Sequence, residues 1–270
     1  MGKLSFKDKV VVVTGAASGI GAAICQKFGG AGSKIGLLDM DEAGVKAAAG
    51  VLRDAGIDAV GVRCDVVDEA QCTSAIDNII ELYGGIDILV NNAGITQRSA
   101  FVNTKTSVYR KVMAVNFFGS LFCTKAAIDS LIARKGIIIV IESLAGVSPL
   151  LGRTGYCASK HALHGFFTSL RSELRDTGVH IMLACPGFVK TNLQTRALGG
   201  DGRITAHPQS MVGKPTSAQN VAEAIYNGAL NRRHLLVLTP VGKLAYWVNK
   251  LAPILYERLM ARQVRGELDR

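Results

Sequence analysis

The sequence predicts an α/β fold: a doubly wound parallel sheet forming a single domain, with a helical extension at its C-terminus. Three observations carry this. Short, β-branched apolar runs recur along the chain with helix-compatible stretches between them. The first run leads directly into a glycine turn and then a helix-compatible segment. Of the 270 residues 49% are hydrophobic and mean hydropathy is positive, which suits a sheet covered on both faces. A chain of this length buries one large core, and α/β folds of this size are often undivided.

Taken in order, Val10, Val11, Val12 and Val13 read as a buried parallel strand. The turn Thr14-Gly15-Ala16-Ala17-Ser18-Gly19-Ile20-Gly21 follows, and 22–28 is helix-compatible. Gly29 and Gly30 weaken the end of that helix. The second strand, 34–38, ends at Asp39. Asp41 is better placed than Asp39 to cap the helix after it. Further strands are expected at 60–63, 86–91, 137–141, 181–185 and 235–238. No repeat, low-complexity tract or linker interrupts the series.

Two stretches carry chemistry. Strand, glycine turn and helix N-terminus together form an anion site, where free N–H groups meet a pyrophosphate. Gly15, Ser18, Gly19, Ile20 and Gly21 belong to it. The spacing is G-x-x-x-G-x-G, and the turn lacks the Gly-Lys-Ser/Thr ending of a nucleoside-triphosphate loop. Asp39, about 20 residues on, stands where a carboxylate receives ribose hydroxyls. It would repel a 2′-phosphate, and no basic residue follows it immediately, so NAD(H) is expected over NADP(H). Further along, Tyr156 and Lys160 lie one helical turn apart, and Ser143 ends an apolar run upstream. A nearby ammonium is expected to lower the phenol pKa by about 1–3 units. A serine hydroxyl beside the phenol can hold a substrate oxygen. This set moves a proton on and off an alcohol or carbonyl oxygen.

Together these residues resemble the short-chain dehydrogenase/reductase family over about residues 7–238. The resemblance rests on the glycine turn, Asp65-Val66, Asn91-Asn92-Ala93-Gly94, Asn116, Ser143, Tyr156-x3-Lys160 and Pro186-Gly187, in the family's order. It implies a catalytic tetrad of Asn116, Ser143, Tyr156 and Lys160. It implies adenine contacts from Asp65 and Val66, and support of the central strand by Asn92 within Asn92-Ala93-Gly94. Pro186, Gly187, Val189 and Thr191 would line the nicotinamide end. Asn116 would hold a water linking Lys160 to solvent, and Lys160 would also hold the nicotinamide ribose. Glu142 departs from the pattern, standing where a second serine is common. If it points away from the site it needs a partner; if it faces the site it tunes substrate choice.

Residues 1–240 are thus read as the catalytic domain, with a substrate lid at about 188–213. Residues 241–270 form a helical extension that is not an independent domain. Val241, Leu244, Ala245, Val248, Leu251, Ala252, Leu255 and Leu259 recur at helical spacing, with Lys243, Lys250 and Glu257 opposite. Ala252-Pro253 should kink or restart the helix. The extension either packs on its own domain or a partner subunit, or makes peripheral membrane contact through 241–265. It resembles, with the residues around Tyr156, a family branch associated with lipids and hydroxysteroids.

Net charge is +10, with no basic run interleaved with aromatics, so nucleic-acid binding is not expected. Six scattered cysteines include no C-x-x-C pair or Cys/His cluster, so no metal site is expected and a reducing, cytoplasmic setting is. Residues 1–9 are too short and polar for a signal peptide. The resulting expectation is an NAD(H)-dependent oxidoreductase interconverting a secondary alcohol and a ketone on a hydrophobic small molecule, as a homodimer or homotetramer. The alternatives are a 3-oxoacyl-thioester reductase of fatty-acid synthesis, disfavoured by Asp39, and a non-catalytic dinucleotide sensor, disfavoured by the intact tetrad.

Overall fold

The computed structural model describes residues 5–206, 210 and 213–268. The extreme ends of the expected domains, and positions 207–209 and 211–212 of the expected lid, lie outside the described residues. Among the described residues, seven strands form one parallel sheet in the order β3-β2-β1-β4-β5-β6-β7. The strands are β1 (Val10–Thr14), β2 (Lys34–Asp39), β3 (Ala59–Arg63), β4 (Ile88–Asn91), β5 (Ile137–Ile141), β6 (His180–Cys185) and β7 (Leu235–Val237). Helices α1 (Gly19–Gly30), α2 (Glu42–Asp54), α3 (Glu69–Tyr83), α4 (Thr106–Met113), α5 (Gly119–Ala133), α6 (Thr154–Glu173) and α7 (Ala218–Leu230) cover its faces. Between α4 and α5 the chain widens into a π-helical turn, Ala114–Phe118. Every expected strand is present.

The alternation of side chains along each strand divides the core in two. Val11, Val13, Ile35 and Leu37 pack with α1 and α7 residues such as Ile24, Phe28 and Ile225. Val10, Val12 and Leu38 turn to the opposite face, against Ile76, Leu131 and Phe167. A strand buried on both faces has no polar positions, which is why β1 and β5 read as unbroken apolar runs. Asp41 caps α2, accepting from Gly44 N–H at 3.0 Å, as its position implied. Gly29 packs too closely for a side chain: a Cβ there would sit 2.6 Å from Ile57 Cγ2. The glycine that weakens α1 therefore also allows its approach to the sheet.

The sheet order reverses between β1 and β4, so the connections from these two strands run to opposite sides. A crevice opens there, beyond the carboxyl ends of the strands, where ligands bind in folds of this kind. The C-terminal extension forms two helices, α8 (Pro240–Leu251) and α9 (Pro253–Val264), separated at Ala252. The expected restart at Ala252-Pro253 is observed.

Candidate active site

A cavity of about 1280 Å³ occupies the crevice. It exceeds the roughly 300–1,000 Å³ of a typical single-ligand pocket, which leaves room for more than one bound molecule. Its walls come from the chain just beyond the strand ends. After β1 come Gly15, Ser18, Gly19 and Ile20; at the end of β2, Asp39; after β3, Asp65 and Val66; after β4, Asn92, Ala93 and Gly94. Ser143 follows β5, and Pro186, Gly187, Val189 and Thr191 follow β6. Tyr156 and Lys160 project from α6.

The glycine turn is shaped for close approach. Gly15 (φ +64°) and Gly19 (φ +59°) adopt left-handed backbone conformations that disfavour side chains. Gly21 does not line the cavity; a Cβ there would overlap the Gly15 carbonyl oxygen, so its role is to let α1 start beneath the turn. Ser18 occupies the N-cap of α1 without a side-chain capping bond, and no acid stands in the first helical turn, so the N-terminal N–H groups remain suited to an anion. The Asp39 carboxylate is held in place by Ala17 N–H and Asp41 N–H, both at 3.0 Å. Asn92 donates from Nδ2 to the carbonyls of Thr14 (2.8 Å) and Gly15 (3.1 Å), the strand support implied for it. Thr14 adds a second clasp: its Oγ1 accepts from the N–H groups of Asn92 and Ala93. These residues fit a dinucleotide, with an anion-receiving turn at one end and a carboxylate for ribose hydroxyls at the other.

Ser143, Tyr156 and Lys160 converge on the same cavity. The Ser143 hydroxyl lies close enough to the Tyr156 phenol to act on its protonation and accepts from Ala145 N–H at 3.1 Å. Lys160 Nζ donates to the Ile141 carbonyl at 2.8 Å and lies 5.8 Å from the Tyr156 ring centroid. The protonation energetics differ from the sequence expectation. Burial pushes the Tyr156 phenol above its ordinary range, opposed by the Ser143 hydrogen bond and the positive charge of Arg153. Arg153 rather than Lys160 exerts the larger cationic pull on the phenol here. Lys160 is itself buried, and desolvation draws its pKa down to about 8, against the opposing pull of the Glu142 carboxylate.

Asn116 sits in the π-helical turn, fully buried, beside rather than on the cavity wall. Its side chain is engaged with protein: Nδ2 donates to Ile95 O (3.0 Å) and Ser159 Oγ (2.8 Å), and Oδ1 accepts from Ile95 N–H (2.8 Å). The expected water bridge therefore cannot run through a free Asn116 amide; its side chain pins the β4–α4 connection against α6. Glu142 has a buried side chain and two partners, His164 Nδ1 at 3.2 Å and the Cys185 thiol at 3.4 Å. The hydrogen bond to Glu142 raises the His164 pKa. Neither this pair nor Arg153, which joins the wall beside Tyr156, carries a sequence signal. Arg153 precedes α6 and Gln194 lies 41 residues on, so only the fold brings them together.

Residues 188–213 do wall the cavity where described: Phe188, Asn192, Leu193, Gln194 and Leu198 face it. The extension closes the remaining side with Leu244, Val248, Tyr256, Leu259 and Met260.

Residues 9–199 match the family model of short chain dehydrogenases. The chain belongs to the short-chain dehydrogenase/reductase family. Among curated relatives, dehydrogenase/reductase SDR family member 7B of Xenopus tropicalis is 36% identical over 97% of this chain and 87% of its own length. The protein of the same description from Rattus norvegicus is 34% identical, over 98% and 84%. A solved short-chain dehydrogenase/reductase from Burkholderia phymatum, in complex with NAD, is 27% identical. It superposes with a TM-score of 0.83 over 93% of this chain and 96% of that one. The chain is accordingly a dinucleotide-dependent dehydrogenase/reductase acting on CH–OH groups.

Proposed function

We propose that this protein interconverts a secondary alcohol and a ketone on a hydrophobic small molecule, using NAD(H) in preference to NADP(H). The observation that carries this reading is the meeting of Ser143, Tyr156 and Lys160 in the same cavity that holds the glycine turn and Asp39. The bound nicotinamide supplies or accepts the hydride. The protein contributes the proton and the electrostatics. In the reducing direction Tyr156 donates its phenolic proton to the carbonyl oxygen, and in the oxidising direction it takes the proton back. Ser143 donates to the same oxygen as its charge develops. Lys160 keeps two ammonium donors beyond the one given to Ile141, and these suit ribose hydroxyls. A cation held there lowers the cost of forming phenolate, which burial alone makes high. Pro186 and Gly187 close the nicotinamide end, and Asp39 takes the adenine ribose. The apolar wall from α8 and α9 supports a hydrophobic substrate body. The NAD in the Burkholderia relative agrees with the cofactor reading.

We also propose peripheral membrane contact through 241–265. Its support is the exposure of Leu244, Trp247, Leu251, Ile254 and Leu255 on the extension beside the cavity mouth.

Turnover of a panel of alcohols and ketones with each cofactor tests the reaction, with Tyr156→Phe as control. General acid–base catalysis is worth about 10²–10⁴-fold. Tyr156→Phe should lose at least this much kcat while NADH binding, followed by calorimetry, stays within a few-fold. A variant retaining more than about a tenth of wild-type kcat overturns the assignment.

A further inference from the structure

The substrate side of the cavity holds a buried cation that the protein leaves incompletely partnered. Arg153 stands at the N-cap of α6, three residues before Tyr156, and is 2% exposed. It lines the cavity together with Tyr156 and Gln194. Its Nη1 donates to Gln194 Oε1 at 3.3 Å. Its Nη2 has no hydrogen-bond partner among the described residues. Glu267 lies 3.7 Å from that nitrogen, an ion pair beyond hydrogen-bond reach. A second guanidinium, Arg98, is 5% exposed, and its Nε is likewise unpartnered. Both arginines feel the Glu267 carboxylate, and Glu267 already accepts from Ser210 N–H at 2.7 Å.

Two buried guanidiniums thus share one carboxylate. Arginine does not deprotonate in proteins, so the excess charge cannot be relieved by losing a proton. Burying a charge is costly unless it is paired and hydrogen-bonded. The missing partner is an anion, and the unpartnered nitrogen belongs to a buried residue of the cavity wall. A guanidinium matches a planar carboxylate in a two-pronged pair. The neighbouring wall is apolar, with Leu150, Val248, Tyr256 and Met260.

We propose that Arg153 receives a carboxylate of the substrate, so that the natural substrate is an oxo or hydroxy acid with an apolar tail and its acid group close to the reacting carbon. The proposal rests on the oxidoreductase reading and narrows its substrate class. Glu267, from the far end of the extension, competes for the same guanidinium and holds its charge when substrate is absent. Arg153 also faces the Tyr156 phenol and draws its pKa down. Neutralising Arg153 with a bound carboxylate therefore couples substrate charge to the proton donor.

The test compares octan-2-one with 2-oxooctanoate and 4-oxooctanoate, each with NADH. In the wild type kcat/KM for at least one oxo acid should exceed that for octan-2-one by on the order of 10–100-fold, as for a charge-assisted hydrogen bond. Arg153→Met should collapse this ratio towards one, and Arg153→Lys should restore part of it. Glu267→Gln should raise the ratio, because the competing carboxylate is gone. It should also lower the melting temperature, and octanoate should raise that temperature more in this variant than in the wild type. A ratio near one in the wild type overturns the proposal. So does an equal loss on both substrate types in Arg153→Met, which marks a purely structural arginine. If Arg153→Met does not fold, the octanoate shift in wild type and Glu267→Gln decides, and its absence overturns the proposal. If neither ketone nor oxo acid turns over, the oxidoreductase reading fails. An octanoate shift lost in Arg153→Met and partly kept in Arg153→Lys would still establish the acid site.

Discussion

Asp39 is the residue on which cofactor choice turns. Its carboxylate is fixed by two backbone N–H groups and faces the cavity, so it meets ribose hydroxyls favourably and a 2′-phosphate unfavourably. Met40 beside it is 66% exposed and free to carry a longer, charged side chain. NADH should therefore bind more tightly than NADPH, and Asp39→Ala with Met40→Arg should reverse the order. Calorimetric titration with both cofactors checks this; equal affinities in the wild type would contradict it. The Glu142–His164 pair yields a pH prediction. Its hydrogen bond raises the folded-state pKa of His164 above the ordinary 6.5. The pair's stabilisation is then fully present below pH 6.5 and is lost as pH rises through the raised value. Melting temperatures of wild type and His164→Gln should differ most near pH 6 and converge by pH 9. Divergence as pH rises would rule the pair out as a stabilising one. Residues at this scale were unevenly legible. Asp39, Ser143, Tyr156 and Lys160 stand out because chemical type and spacing coincide. Glu142 showed only as a departure, since its partners His164 and Cys185 lie 22 and 43 residues away. The phenol's electrostatics were misread from spacing, because proximity on a helix says nothing of burial. Here desolvation outweighs the neighbouring charge.

Elements were easier to read. A strand buried on both faces leaves a continuous apolar run, as β1 and β5 do, while the edge strands β3 and β7 are only partly buried and leave shorter ones. Boundaries shifted by one or two residues, as at β4, which starts at Ile88 rather than 86. The beginning of α1 differed for a physical reason: the helix takes in the glycine turn itself from Gly19, since left-handed Gly15 has already reversed the chain. The π-helical turn around Asn116 left no mark, because one extra residue in a helix does not disturb a short apolar pattern. Gly21 shows how tightly element and site are joined. A methyl group there would meet the Gly15 carbonyl and Asn92 Nδ2, the contacts that hold β1, β4 and α1 at the crevice. Gly21→Ala should destabilise the fold by roughly 1–3 kcal/mol, the usual cost of overpacking. It should also weaken NADH binding more than Gly30→Ala, whose added methyl meets nothing within 4 Å. Chemical denaturation and NADH titration of the two variants make the comparison, and equal behaviour would argue against the turn as the cofactor cradle.

At the scale of the whole molecule, the question is what the extension does beyond walling the cavity. α8 and α9 place Leu244, Val248 and Leu259 on the cavity side. The same two helices leave Trp247, Leu251 and Ile254 more than half exposed. Lys250 lies over the rings of Tyr246 and Trp247, so positive charge and aromatic edge occupy one patch. Lys243, Arg258, Arg262 and Arg265 are also exposed on the extension, where Glu257 is an exposed acid and Glu267 is buried. An apolar, aromatic and basic surface of this kind binds anionic lipid interfaces, and its position beside the cavity mouth would let an apolar substrate pass directly from lipid to site. The protein should co-sediment with anionic vesicles more than with neutral ones, and rising salt should weaken the association. Leu251→Ser with Ile254→Ser separates this from simple packing. Neither residue lines the cavity, and exposed substitutions of this sort usually change stability by less than about 0.5 kcal/mol each. The double variant should keep its melting temperature and its turnover of a water-soluble ketone while losing vesicle association. A large fall in melting temperature would instead show that these side chains pack against protein. Absence of vesicle binding at low salt in the wild type would remove the membrane role and leave the extension as the wall of a substrate pocket.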